Sequence, residues 1–267
     1  MDLTRKCQLR CTHCYNGSGP EREHGAMSSE NWVSVLDQAA DIGVRHVQFI
    51  GGEPTLHPEF TILVQHALDA GLHVEVFSNL VHVSRECWKL FQRQGVSLAT
   101  SYYSDQGADH DAVTRRPSHS RTRANIALAV GLGVPLRVGI VTDDEGQVLG
   151  ARTDLESLGV RRVSVDRVRP FGRGGQTQAP DLSGLCGRCG HGTAAVGPDG
   201  TVSPCVFSGF VDVGNVRNAP LADILGSAAM SKAREAIGAA AAGNGPCGPT
   251  EDECTPGFPG SSCTPRH

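Results

Sequence analysis

Short β-rich runs alternate with amphipathic runs along the first two-thirds of the chain. MDLTRK (1–6), Val44–Ile50, Leu72–Phe77, Val96–Tyr102, Pro135–Thr142 and Val160–Val168 read as six strands. Between the first two, Trp32, Val35, Leu36 and Ala39 recur at helical spacing, with Ser28 or Ser29 placed to cap and Gly43 placed to terminate. Further helices are predicted from Pro58, a favoured first-turn residue, to Gly71, from Ser84 to Gly95, from about 121 to 133, and over 145–159. Strand–helix alternation of this kind predicts an α/β fold, a parallel sheet with right-handed crossovers. Six units amount to a partial (β/α)6 barrel over residues 1–168, short of a closed eight-unit one.

The pattern breaks after Val168. Arg169–Gly184 is rich in glycine and proline and reads as a linker. Thr193–Cys205 reads as a hairpin turning at Pro198-Asp199-Gly200, and a helix-like run follows from Leu221 to about Ala241. The tail 247–267 has too few apolar residues to pack by itself, and cross-linking to a metal would order it. Residues 185–267 are therefore expected to form a small cysteine-rich C-terminal annex.

A chain of 267 residues suffices for one large domain with such an annex. The net charge of -4 gives no basic field for nucleic acid, and no apolar stretch approaches a membrane span. The opening MDLTRKCQLR has no apolar signal region, so a cytoplasmic location is expected. Ten cysteines in a reducing compartment point to metal or catalysis before disulfides, and six of them follow Leu185.

Cys7, Cys11 and Cys14 form CxxxCxxC directly after the first strand. Three thiolates can hold three irons of a 4Fe–4S cluster and leave the fourth open; alone, the spacing also suits zinc or three buried thiols. The tetrad Gly51-Gly52-Glu53-Pro54 directly follows the second strand. Sites on such sheets lie at strand C-terminal ends, so both motifs face one mouth.

CxxxCxxC after the first strand, GGEP after the second, and six strand–helix units resemble the radical S-adenosylmethionine (SAM) superfamily over roughly two-thirds of the chain. The resemblance implies that the open iron binds the amino and carboxylate groups of SAM. The reduced cluster then passes one electron to the sulfonium, and the resulting 5′-deoxyadenosyl radical takes a hydrogen atom from a C–H bond. By the same resemblance Cys7, Cys11 and Cys14 are the ligands, His13 packs near the adenine and Tyr15 shields the cluster. Gly51 and Gly52 would let backbone approach SAM, Glu53 would accept from the methionine ammonium, and Pro54 would fix the turn. Ser78, Asn79 and Ser101 would contact ribose or carboxylate; they also read as ordinary polar strand ends.

Cys186 and Cys189 form CxxC, Cys205 follows the hairpin, and Cys247, Cys254 and Cys263 close the chain. The run from Cys189 through Gly200 to Cys205 resembles the opening of a SPASM or twitch domain, which implies an auxiliary 4Fe–4S cluster. The tail spacing departs from a full SPASM pattern, and six cysteines fall short of the eight that two cubanes need. At least one auxiliary cluster is expected, with a structural zinc site as the alternative. Two thiols are then spare, and Cys247 and Cys263 are candidate hydrogen donors to a substrate radical. Cys87 reads as a core thiol.

Arg137, Arg167, Arg169 and Arg173 fall at or after the last strands, where they can clamp a carboxylate or phosphate or stand as solvated surface residues. The polar segment Tyr102–His119, with Tyr103, Asp105 and His110, reads as a substrate-gating loop. The resemblance implies an enzyme that tailors a ribosomal peptide by epimerisation, oxidation or cross-linking. The alternatives are an aminosugar-type small-molecule epimerase or dehydrogenase, and a non-enzymatic iron–sulfur electron carrier or scaffold. A ferredoxin- or flavodoxin-type reductant is implied. With six residues before Cys7, a peptide substrate would call for a separate leader-peptide-binding protein.

Overall fold

Five parallel strands lie side by side in sequence order in a computed structural model that describes residues 1–242. They are β1 (His46–Phe49), β2 (His73–Phe77), β3 (Val96–Tyr102), β4 (Leu136–Val141) and β5 (Arg162–Asp166). Helices α1 (Ser29–Asp41), α2 (Phe60–Asp69), α3 (Arg85–Phe91), α4 (Gly107–Thr114), α5 (His119–Gly131) and α6 (Glu145–Ser157) fill the connections. Order without crossing is what right-handed strand–helix–strand units produce, and the expected α/β class holds. Side-chain caps start several helices. Ser28 and Asn31 form a reciprocal capping box on α1, Ser84 accepts from the Cys87 N–H on α3, and Asp144 accepts from the Gly146 and Gln147 N–H groups on α6.

The first predicted strand is not a sheet member in its own right. Residues 1–6 make isolated parallel bridges, Asp2 to Ile50 and Lys6 to Gly19. Their carbonyls follow the turn after β1 instead of its ladder: Thr4 O accepts from Gly52 N–H at 2.6 Å and Lys6 O from Glu53 N–H at 2.9 Å. The segment thus pairs with the GGEP turn.

Beyond β5 the annex contains β6 (Ala195–Val196), β7 (Thr201–Ser203) and β8 (Gly214–Asn215) in an antiparallel sheet. The predicted hairpin is β6–β7; β8 is too short to read from sequence. The helix-like run divides into α7 (Leu221–Leu225) and α8 (Ala228–Ala242), broken at Gly226 and Ser227. Val196, Val202, Leu221, Ile224 and Met230 share one core with Trp32, Leu36 and Phe49 of the barrel. Asp2 N–H also donates to Val196 O at 2.8 Å. Among the described residues no helix is long and apolar enough to cross a membrane.

Two expectations change here. The polar segment Tyr102–His119 is not a free gating loop. It holds α4 and the start of α5, and Asp111 Oδ1 accepts from both Ser118 N–H and His119 N–H at 2.8 Å. The linker is not slack either. It forms 3₁₀ turns at Gly172–Gly175 and Leu182–Gly184, and Phe171 is buried with Leu185, Cys189 and Ile237 in a second small core.

Candidate active site

A cavity of about 280 Å³ opens at the strand C-terminal ends. Cys7, Cys11 and Cys14 line one side and Cys186, Cys189 and Cys205 the other. The two thiol triplets, separated by about 170 residues of sequence, therefore face one space.

The first triplet sits on a loop braced from several directions. Cys7 Sγ accepts from the Leu9 N–H at 3.4 Å and from Asn79 Nδ2 at 3.7 Å. The ends of α4 hold the loop's far side, where Arg10 N–H donates to Thr114 O and Thr12 N–H to Val113 O. The former linker holds its end, with Arg173 Nε donating to Cys11 O at 2.7 Å and Arg173 N–H to Cys14 O at 2.9 Å. Gly172 and Gly174 are needed for this approach: a Cβ on Gly172 would lie 2.4 Å from Cys14 O. Burial pushes the Cys7 thiol up to about 12, helped by the Glu53 carboxylate, and pushes Cys11 up to about 11, helped by Cys14. Thiols so placed become thiolates only when a cation compensates them, which is what iron does. Among the described residues no three His, Cys, Asp or Glu groups converge on a single metal ion. A cubane fits better, because each of its thiolates serves a different iron.

The glycines of GGEP serve the protein before any ligand. A Cβ on Gly51 (φ +147°) would lie 2.5 Å from Thr4 O, and one on Gly52 would lie 2.3 Å from Lys6 O. Both still line the cavity. Glu53 does not; it is fully buried. Its Oε1 accepts from Thr55 N–H at 3.2 Å and Thr55 Oγ1 at 2.7 Å, and its Oε2 from Asn79 N–H at 2.8 Å. Burial raises its pKa against these hydrogen bonds. Glu53 thus holds the end of β2 to the motif rather than presenting a carboxylate to a ligand. Pro54 is buried and starts a 3₁₀ turn. Ser78 is buried too, its Oγ accepting from Leu80 N–H at 3.1 Å.

Asn79 lines the cavity, but Oδ1 accepts from Gln8 Nε2 (3.0 Å) and Val81 N–H (2.9 Å), while Nδ2 points to Cys7. His13, Tyr15 and Ser101 line the cavity as expected from sequence. His13 meets Tyr103 edge-on at 5.1 Å, and burial lowers its pKa. Tyr15 meets Phe207 edge-on at 5.2 Å, which joins the Cys14 end of the loop to the annex beside Cys205.

Sequence reasoning placed Tyr103 and His110 in a loop; both belong to the cavity wall. Tyr103 interacts through its hydroxyl with Cys11 and Ser101. His110 on α4 is 1% exposed, and its Nδ1 has no hydrogen-bond partner. The alternation after β3 offered no signal for either.

In the second triplet Cys189 Sγ stands 3.1 Å from Cys205 Sγ. Hydrogen bonding to Cys189 holds the Cys186 and Cys205 thiols below the usual range, while the Cys189 thiol is pushed up as the shared donor. Three sulfurs that contend for protons at one wall suit a thiophilic metal or cluster. Cys247, Cys254 and Cys263 lie outside the described residues, and so do the hydrogen-donor roles expected of Cys247 and Cys263.

A parallel α/β sheet carrying two thiol triplets at its mouth, around one shared cavity, is the architecture of an iron–sulfur protein. The radical SAM superfamily profile matches residues 1–145, and the SPASM iron–sulfur cluster-binding domain profile matches residues 186–255. The chain belongs to the radical SAM superfamily, with a 4Fe–4S cluster and SAM as cofactors and an auxiliary iron–sulfur cluster in its annex. It is similar to the PqqA peptide cyclase of Streptomyces rochei, 28% identical over 185 residues, which is 67% of this chain and 50% of that protein. It is also similar to that of Rhodopseudomonas palustris, 37% identical over 109 residues, 41% of this chain and 28% of that protein. The chain thus spans half or less of the length of these relatives. Its fold matches that of Streptococcus suis SuiB bound to precursor peptide SuiA, with a TM-score of 0.74 at 16% identity, covering 86% of this chain and 64% of SuiB.

Proposed function

We propose that this chain is the SAM-cleaving part of an enzyme that modifies a ribosomally made peptide through a radical, by cross-linking, oxidation or epimerisation. The observation that carries the reading is the shared cavity: the Cys7–Cys14 loop and Cys186, Cys189 and Cys205 line one space. The similarity to PqqA peptide cyclases, and the fold shared with a SuiB–SuiA complex, supports a peptide as the substrate class.

When bound, a reduced 4Fe–4S cluster with one open iron supplies the electron that splits SAM and starts hydrogen-atom abstraction. The chain's own residues prepare the place. Cys7, Cys11 and Cys14 would hold the cluster, and Gly51 and Gly52 keep the turn close against its loop. His13 and Tyr103 pack edge to face on the cavity wall, with the Tyr103 hydroxyl against Cys11. Cys186, Cys189 and Cys205 would contribute thiolates to the auxiliary cluster. The electron would come from a ferredoxin- or flavodoxin-type reductant.

Anaerobic reconstitution with iron and sulfide, followed by dithionite and SAM, should release 5′-deoxyadenosine and shift the reduced cluster's EPR signal on SAM addition. Reconstituted protein that carries its iron yet leaves SAM intact and its signal unmoved would remove the reading. Among peptide products, a mass lower by two hydrogens marks oxidation or cross-linking, and solvent deuterium at one carbon marks epimerisation.

A further inference from the structure

The two edges of the parallel sheet are finished differently. At β1 the N-terminal segment closes the edge: Met1 N donates to Gln48 O at 2.6 Å, Leu3 N–H to Ile50 O at 2.9 Å and Ile50 N–H to Met1 O at 2.9 Å. At the other end β5 pairs with β4 on one side and, among the described residues, with no strand on its outer side. The ladder fixes which groups are spare. Thr142 N–H donates to Asp166 O at 3.2 Å, with Asp166 level with Val141. Main-chain groups alternate sides along a paired strand, so those of Arg162, Ser164 and Asp166 turn to β4 and those of Val163 and Val165 turn away. Among the described residues no hydrogen bond takes up the N–H or C=O of either valine.

This edge adjoins the site. Ser164, Val165 and Asp166 line the same cavity as the two thiol triplets, and Ser164 and Asp166 stand level with Gly139 and Val141, which line it too. The strand is five residues long, carries two β-branched residues and has no proline to blunt it. Arg161 and Arg162 stand exposed at its start, with no acidic partner among the described residues. Spare N–H and C=O groups two residues apart match the backbone of another extended chain. A strand added there would turn every second side chain to the cavity side, beside Ser164 and Asp166.

We infer that the outer edge of β5 captures the peptide substrate by strand addition. An extended segment pairs its main chain with Val163 and Val165, sets an acidic residue against Arg161 or Arg162, and presents alternate side chains to the cavity. The inference rests on the reading of the substrate as a peptide. Release of 5′-deoxyadenosine and the mass of the peptide product report on that reading separately.

The test uses the full reconstituted chain with SAM and the probe acetyl-Glu-Thr-Val-Thr-Val-Thr-amide. A second copy of the probe, N-methylated at its central valine and threonine, is blocked along both of its edges. Amide exchange is read at single residues by mass spectrometry. Without peptide, the Val163 and Val165 amides should exchange fast and that of Ser164, bonded to β4, slowly. With the probe at about ten times its Kd, exchange at Val163 and Val165 should slow about tenfold. The methylated copy should leave it within about twofold of the free value, because it cannot pair. Val165→Pro removes an N–H that the described fold does not use, at the kind of edge position where proline is tolerated. It should keep its iron and bind the probe about threefold to tenfold more weakly, the worth of one hydrogen bond. Slow exchange at both valines before any peptide is added would show the edge already taken, by a second copy if it depends on protein concentration and by another part of the chain if it does not, and the inference falls. It falls as well if the probe does not bind, if it binds and leaves both amides fast, or if iron-loaded Val165→Pro binds it as wild type does. If Val165→Pro loses its iron, exchange in the wild-type chain decides alone.

Discussion

Gly52 faces Lys6 so closely that the two motifs of the site are one piece of structure. A methyl group on Gly52 would stand 2.3 Å from Lys6 O and 3.0 Å from Cys7 Cβ. The same backbones are joined by the Gly52 N–H to Thr4 O and Glu53 N–H to Lys6 O hydrogen bonds. The glycine pair therefore positions the first iron ligand. Any ligand contact it makes is additional.

Gly52→Ala should push residues 6 and 7 away. The expected cost is about 1–3 kcal/mol, the usual range for overpacking. It should appear as a lower melting temperature together with less iron bound at the Cys7 loop. Gly131→Ala is the control. Nothing lies within 4 Å of a Cβ there and its φ is ordinary, so the substitution should be neutral or slightly stabilising, by about 0.4–1 kcal/mol. Equal melting temperatures and equal iron for Gly52→Ala and wild type would break the argument.

Glu75 on β2 is 4% exposed, accepts both prongs of Arg137 from β4 and also accepts from Gln48 on β1. It ties three strands inside the barrel. Glu75→Ala leaves a buried guanidinium unpaired and should cost about 3–5 kcal/mol in thermal or urea denaturation. Removing both charges, in Glu75→Leu with Arg137→Met, should recover most of that loss, because the pair spends much of its attraction on desolvation. Arg137 thus acts in the barrel's interior, where sequence position alone suggested a substrate clamp. A single-variant cost equal to the double-variant cost would refute the pairing account.

The parts legible in the sequence share a cause: they are local. Alternating apolar runs mark β1 to β5 because side-chain period changes from two to near four within a few residues. CxxxCxxC and GGEP stand out because their spacing is short. What escaped reading depends on distant partners. Glu53 turns inward because Asn79, 26 residues on, supplies its N–H. Helix α4 has almost no amphipathic pattern; it buries only His110 and Thr114 and is fastened through the Asp111 carboxylate to the start of α5. Glycines 172 and 174 suggested slack, yet they are there because the chain passes within touching distance of the Cys14 loop. Composition cannot tell a flexible glycine from a sterically required one.

His110 predicts a pH effect whose sign is fixed by burial. Burial, then the neighbouring His119, lowers its pKa from 6.5 to about 4 in the folded chain. The unfolded chain therefore binds the extra proton first. Stability from keeping this ring neutral is complete above about pH 6.5 and falls as pH drops toward 4. Between pH 8 and pH 5 the loss amounts to about 2 kcal/mol from this group. His110→Phe should remove that component, so its melting temperature should fall less than that of wild type over the same interval. Parallel curves for the two proteins would show that His110 titrates normally.

The two thiol triplets line one cavity yet serve two metal centres, one in the barrel and one in the annex. Two centres follow from their bracing. Cys7, Cys11 and Cys14 are tied to Asn79, α4 and Arg173, whereas Cys189 and Cys205 sit in their own small core with Phe171 and Ile237. If the centres are separate cubanes, Cys189→Ser should lower iron by about four per chain, since each cubane holds four. It should leave the SAM-induced EPR shift and at least the first turnover of 5′-deoxyadenosine release intact. Cys14→Ser should do the opposite, abolishing the shift and the release while iron at the annex remains. Each substitution changes one sulfur to oxygen at nearly constant volume, so neither should disturb packing beyond its own centre. Loss of the SAM-induced shift in Cys189→Ser would mean that the triplets serve a single centre, and the division of labour between barrel and annex would have to be abandoned.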